Sequence, residues 1–339
     1  VFVAAQLKKA PAPPLGVVAA IASGFETVNA RLELILLPLA LDLFLWLGPR
    51  LSVKPVLDRW LALAFSILST PPGADPEAAQ NLETVRQELT ALVTRTGSQL
   101  NLFSALSTAP LGLPSLLAAR QPVSAPNGAP AFWNVYNGLE YFLLFVVFTL
   151  LGLFLGALYF GGIAQQVREA RLNWGRLFQQ VWGDWARLTA LLALALVGMG
   201  IVSVPVGILA IFMALISPLL GSFVIATAAL WLVVYFGFTL PGIVLQRRGL
   251  FRAAWDSLRI AHVSLPQTVT LYTAILLLYL GLGLVWNLPA DDSWLLLIGV
   301  GGHALVSTAL VSATFVFYQD RYRWWAELRQ TRRARSPAR

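Results

Sequence analysis

The sequence predicts an all-α fold: a polytopic membrane helical bundle of about six transmembrane helices, with amphipathic interfacial helices and an external helical insertion. Three observations carry this. Only 12% of the 339 residues are charged and 58% are hydrophobic, where a soluble domain carries about a quarter charged residues. Uncharged apolar runs recur along the chain, and roughly 20 such residues in a helix cover the ~30 Å hydrocarbon layer. Finally, Lys and Arg concentrate in alternate connections between those runs, as the positive-inside rule requires.

Residues 1–31 read as a cytoplasmic or interfacial N-terminal segment. Lys8 and Lys9 precede "LGVVAAIASG" as they would in a short signal sequence, but Pro11, Pro13 and Pro14 interrupt the pattern and argue against cleavage. Residues 32–47 are expected to form the first transmembrane helix, although the run is short and carries Glu33 and Asp42. Residues 48–138 form the external insertion, in which "PEAAQNLETVRQELTALVTRTGSQL" reads as an amphipathic helix with Leu82, Val85, Leu89, Leu92 and Val93 at helical spacing. The apolar stretches on either side of it are short or broken by proline, and suit the outer membrane surface.

A five-helix bundle is expected over residues 139–317, with spans at 141–160, 188–210, 217–245, 264–286 and 294–317. The uncharged stretch 188–245 is too long for one crossing, and "ISPLLGS" supplies proline and glycine for a tight hairpin turn. Pro205 then falls inside a span and is expected to kink it. The connections 161–187 and 246–262 carry four basic residues each, and the basic tail 318–339 carries seven, whereas the connections around Ser217 and over 287–293 carry none. Both termini are therefore expected in the cytoplasm, with the protein multi-pass in the plasma or inner membrane. The same asymmetry accounts for the net charge of +8 without nucleic acid as a partner.

Two of the basic connections echo each other. "GRLFQQVWGDWARL" (175–188) and "RGLFRAAWDSLRI" (248–260) both place Trp four residues after Leu-Phe, then an aspartate and an arginine, and "YQDRYRWWAELRQ" is a looser third copy. Such a span, interfacial helix, span pattern is a pseudo-repeat. Trp182, Arg187, Trp255, Arg259, Arg321, Trp324 and Trp325 are expected at the lipid interface, where an indole is half dry and a guanidinium meets lipid phosphate. On the residues "LFRAAWDSLRIAHVSLPQTVTLYTAILLLYLGLG" and "FVFYQDRYR", the stretch 139–323 resembles a broad group of prokaryotic polytopic membrane proteins. These are the YciC-like proteins and the membrane domain attached to some glycerophosphoryl diester phosphodiesterases. The resemblance implies a membrane bundle; it does not extend to the phosphodiesterase domain and carries over none of that activity.

The chain has no cysteine and two histidines, so thiolate chemistry and disulfides are excluded and metal chemistry is restricted. There is no phosphate-binding glycine loop and no Gly-x-Ser-x-Gly elbow. Asp42 is an ionisable group placed inside a span, which calls for a partner; Arg50 or Arg59 would make a structural ion pair, and proton or substrate handling is the other reading. His303 follows Gly299 by four residues, a spacing that leaves one helix face open to a flat macrocycle with an imidazole axial ligand. Polar packing against a neighbouring helix produces the same spacing. Gly152 with Gly156, and Gly281 with Gly283, are expected to let helices approach closely. Asp291 and Asp292 read as a solvated loop and helix cap.

Together these features point to a non-enzymatic accessory, scaffolding or membrane-organising subunit. Its expected partners are membrane lipids, with anionic lipid at the cytoplasmic loops, or subunits of a larger membrane complex. A transporter or permease is the alternative, resting on the pseudo-repeat, Pro205, Asp42 and His303; pigment or haem binding through His303 is a weaker one. The sequence names no cofactor.

Overall fold

The computed structural model describes residues 13–67, 76–122, 124–128 and 130–335. The chain is helical almost throughout. Among the described residues five helices are long and apolar enough to cross a membrane: α6 (Gly138–Glu169), α7 (Trp174–Ile216), α8 with α9 (Pro218–Phe236 and Thr239–Gln246), α11 (Leu265–Trp286) and α12 (Leu296–Arg335). The hairpin between α7 and α8 falls where proline requires it. Ser217 is extended, at φ −159 and ψ 134, and Pro218 opens α8, a position where its missing N–H costs nothing. Pro205 lies inside α7. Lys8, Lys9 and the last residues of the basic tail lie outside the described residues.

The expected first span is resolved differently. Residues 32–47 are a 3-10 turn, Leu32–Ile35, followed by the 12-residue α2, Leu36–Leu47. At 1.5 Å per residue α2 rises about 18 Å, well short of the hydrocarbon layer. Pro38 is the third residue of α2, where first-turn N–H groups have no helical acceptor in any case, so it marks a helix start and not a bend.

The chain divides into two compact units. One comprises the described part of Val1–Leu34 with Ala157–Gly281 and Leu305–Arg339; the other comprises Ile35–Gly156 with Leu282–Ala304. In the first, the N-terminal segment contains a helix, α1 (Val17–Asn29). Ala20, Gly24 and Val28 recur every fourth residue on its buried face. A Cβ on Gly24 would run into Ala309 and Ala313 of α12, so glycine lets the two backbones touch. Tyr159 of α6 donates to Thr308 Oγ1 at 3.1 Å, and Phe160 stacks on Phe315.

The two echoing segments differ in backbone. The first is simply the start of the 43-residue α7. The second is a separate amphipathic helix, α10 (Leu250–Val263), which ends at Ser264 before α11 begins. Helix α10 buries Ala253, Asp256, Ser257, Ile260 and Ala261 and turns Phe251, Trp255, Arg259 and Val263 outward.

The second unit contains the insertion. Strand β1 (Arg50–Ser52) pairs in parallel with β2 (Phe132–Asn134), Leu51 opposite Trp133, a ladder that periodicity over three residues does not announce. Around it Leu51, Val53, Val56, Leu102 and Val135 form a small core, onto which Phe103, Leu144 and Phe148 pack. Asn101 fastens the ladder by accepting from the Leu51 and Phe103 N–H groups at 3.1 and 3.2 Å. Helices α3 (Lys54–Ile67) and α4 (Pro76–Gln99) complete the insertion. The amphipathic stripe expected on α4 is not a core face: Val85, Leu89 and Leu92 are exposed, as are Trp60, Leu63 and Ile67 on α3.

Candidate functional site

The insertion's short helix α5 (Leu116–Arg120) supplies the partners of the most conspicuous polar residue in the chain. Asp42 of α2 is fully buried. Its Oδ1 accepts from the Ser115 hydroxyl and from the Leu117 N–H at 3.1 Å, and its Oδ2 accepts from the Leu116 N–H at 3.1 Å. Ser115 Oγ accepts in turn from the Ala118 N–H at 2.9 Å, so one hydroxyl caps α5 and donates to the carboxylate. His303 of α12 is also buried, with Nδ1 4.0 Å from Asp42 Oδ2, too far for a hydrogen bond.

Neither arginine expected to pair with Asp42 does so. Arg59 donates to the Tyr136 carbonyl at 2.7 Å. Arg50 is buried with its guanidinium 5.8 Å from the centre of the Phe132 ring. Burial lowers its pKa from the ordinary arginine value, and the Asp291 carboxylate works in the opposite direction. Asp42 faces along α2 toward α5, so the carboxylate meets backbone amides and a hydroxyl instead of a guanidinium.

Asp291 is no solvated loop residue either. Its carboxylate lies 2.6 Å from Arg120 Nη2, with both side chains about one-fifth exposed. Arg120 also donates to the Pro289 carbonyl at 2.6 Å, and the Trp46 indole N–H donates to the Asp291 carbonyl at 2.7 Å. Trp46 meets Trp294 edge to face at 5.7 Å. The segment between α11 and α12 is thus clamped onto α2 and α5 by one arginine and one tryptophan. At the start of α12 it is Ser293, not an aspartate, whose hydroxyl accepts a backbone N–H, that of Leu295 at 3.2 Å.

The glycines have different neighbours from those expected. Gly152 and Gly156 abut the insertion, Gly152 at the Leu106 carbonyl and the Thr108 hydroxyl and Gly156 at the backbone of Leu111 and Gly112, and not another spanning helix. Gly299 sits against the Trp286 carbonyl and Gly302 against the Trp286 indole. The face that Gly299 shares with His303 is therefore filled by protein, where the sequence left room for a macrocycle. Gly281 and Gly283, expected at a close contact, have nothing beside them.

Among the expected interfacial residues, Trp182 and Trp255 are exposed at 62% and 55%, and Trp324 and Trp325 are half-buried. Arg187 pairs with Asp184 at 3.1 Å, and Arg259 lies over the Trp255 ring at 5.2 Å. Arg321 departs from expectation. It is buried, stacked 3.4 Å over Phe317, and donates to the Leu15 carbonyl at 3.2 Å, so it anchors the segment before α1 and does not face lipid.

Sequence reasoning found Asp42 and His303 but missed Ser115, Arg120 and the pairing role of Asp291. Ser115 before "LLAAR" is a readable helix cap; its second task, 73 residues away from its partner, leaves no local signal. Among the described residues no group of three or more His, Asp or Glu side chains is placed to hold a metal ion. Chemically the arrangement holds elements together: Asp42, Arg120 and Trp46 each engage another part of the chain. No family model, curated protein or solved structure matches the chain.

Proposed function

We propose that this protein is a non-enzymatic accessory or membrane-organising subunit that works by packing against lipids or against other subunits of a membrane complex. One observation carries the reading. The most apolar stretch of α7 is only 6% buried within the chain, and those of α8–α9 and α11 are 11% buried, against 67% for α12. Ile201, Ile211, Leu215 and Leu219 are exposed at 66% or more. Apolar surface of that extent on helices of spanning length is satisfied only by lipid tails or by another protein.

Asp42 supports the same reading. Its carboxylate is engaged by a hydroxyl and two amides that hold α2 to α5, which gives it a structural task in place of proton or substrate handling. The basic residues between α6 and α7, between α9 and α10 and after α12 favour a cytoplasmic side for those three ends.

Extraction of the full chain from its native membrane in polymer-bounded discs, followed by native mass spectrometry, tests the proposal. Retained lipid or a co-purifying subunit is the expected result. A lone, lipid-free chain overturns it.

A further inference from the structure

The cleft that opens beside α10 has the chemistry of a specific lipid site. It is a groove of about 570 Å³, lined by Tyr235 of α8, by Trp255, Arg259, His262 and Val263 of α10, and by Trp325 of α12. That volume is in the range of small-ligand pockets, roughly 300 to 1,000 Å³. It sits where apolar helix gives way to polar: Tyr235 is one residue from the end of α8, and α10 joins two spanning helices. Two indoles and a phenol around one opening are the residues that favour the boundary between hydrocarbon and headgroups.

Among the described residues that line the groove, Arg259 carries a positive charge and none carries a negative one. Arg187, the counterpart of Arg259 in the echoing segment, is neutralised by Asp184 one turn away. Arg259 has Asp256 three residues before it, but Asp256 is buried while Arg259 is exposed. The Arg259 guanidinium instead lies over the Trp255 ring, which holds its plane while leaving its N–H donors open to the groove. Among the described residues no acidic side chain lines the groove. His262, one turn further along α10, adds a ring N–H.

We infer that this groove binds one anionic glycerophospholipid, the phosphate held by Arg259 with His262 and the glycerol and first chain segments lying on Trp255, Trp325 and Val263. The inference rests on the lipid-packing reading proposed above and narrows it to one place and one ligand class. A guanidinium meets a phosphate through two parallel N–H···O bonds, and the indole beneath it keeps competing water off one face. Anionic headgroups are preferred because a zwitterionic headgroup brings its own ammonium to a groove with no acid to receive it.

The test uses the full chain purified in detergent, titrated with phosphatidylglycerol, phosphatidylcholine or inorganic phosphate and read by native mass spectrometry. The wild type is expected to retain one phosphatidylglycerol in preference to phosphatidylcholine, with inorganic phosphate displacing none of it. Arg259→Gln should weaken phosphatidylglycerol binding about tenfold, the effect of losing a charge-assisted contact. Arg259→Lys should fall between the two, and Arg187→Gln should leave binding unchanged. Equal affinity for Arg259→Gln and wild type, equal affinity for the two lipids, or displacement by phosphate alone would overturn the inference. Lipid or a partner retained elsewhere on the chain would in each case leave the packing proposal standing, whereas a wild type that retains neither overturns both.

Discussion

Asp42 shows how a buried charge is accommodated without a counter-ion. Three donors converge on its two oxygens, and hydrogen bonds to a charged acceptor are worth about 1.5 to 3 kcal/mol each. Asp42→Ala strands the Ser115 hydroxyl and two amides at once. It should lower stability by about 3 kcal/mol or more, measured as a fall in the thermal unfolding midpoint in detergent. Asp42→Asn keeps one carbonyl acceptor but sets an NH2 against a backbone N–H, so its midpoint should fall between wild type and Asp42→Ala. Asp291 answers for two cations, pairing with Arg120 and opposing the depressed pKa of Arg50. Asp291→Asn should therefore cost more than Arg120→Ala, on the order of 3 kcal/mol, because it leaves the buried Arg50 without its nearest negative charge. Equal midpoints for those two variants would show that Arg50 does not depend on Asp291.

At the scale of elements, the glycines separate helices that meet the chain's own backbone from helices that face outward. Gly24→Ala forces a methyl into the α12 backbone at Ala309 and Ala313. It should loosen α1 by about 1 to 3 kcal/mol, seen as faster proteolysis before residue 30. Gly207→Ala in α7 meets nothing within 4 Å, so in the isolated chain it should be neutral or stabilise by up to about 1 kcal/mol. The same substitution would weaken assembly if a partner helix packs there, and the two readouts together report whether α7 has a protein neighbour. Helix α10 makes a related point. Its sequence twin at the start of α7 continues straight into a span, whereas α10 stops at Ser264 and lies as a separate element. Similar sequence thus yields one buried-partner arginine and one open arginine.

For the whole molecule, the topology proposal can be checked directly because the chain has no native cysteine. Single cysteines at Ser293, between α11 and α12, and at Gln246, at the end of α9, should label from opposite sides of the membrane with an impermeant maleimide. Ser293→Cys is expected to react from outside the cell and Gln246→Cys only after permeabilisation. Labelling of both from one side would overturn the assignment of α11 as a single crossing. The exposed apolar faces of α3 and α4 belong to this scale as well, since among the described residues they too find no cover.

The sequence by itself determined the all-α membrane class, the five long helices and the turn at Ser217. These depend on local quantities: run length, the absence of charge and the stiffness of proline. It also identified Asp42 and His303 as the residues that need partners, because an ionisable group in an apolar run is conspicuous without any knowledge of its surroundings. It did not show that Leu32–Leu47 divides into a 3-10 turn and a 12-residue helix, since apolar composition does not distinguish the two. Tertiary structure alone decided that Asp42 meets Ser115 and not an arginine, that Gly152 and Gly156 admit a loop and not a helix, and that Arg321 is buried while Arg259 is open. Each of these joins residues on separate elements or depends on which way a side chain turns, and hydrophobic periodicity records only whether a face is apolar, not what comes to lie against it.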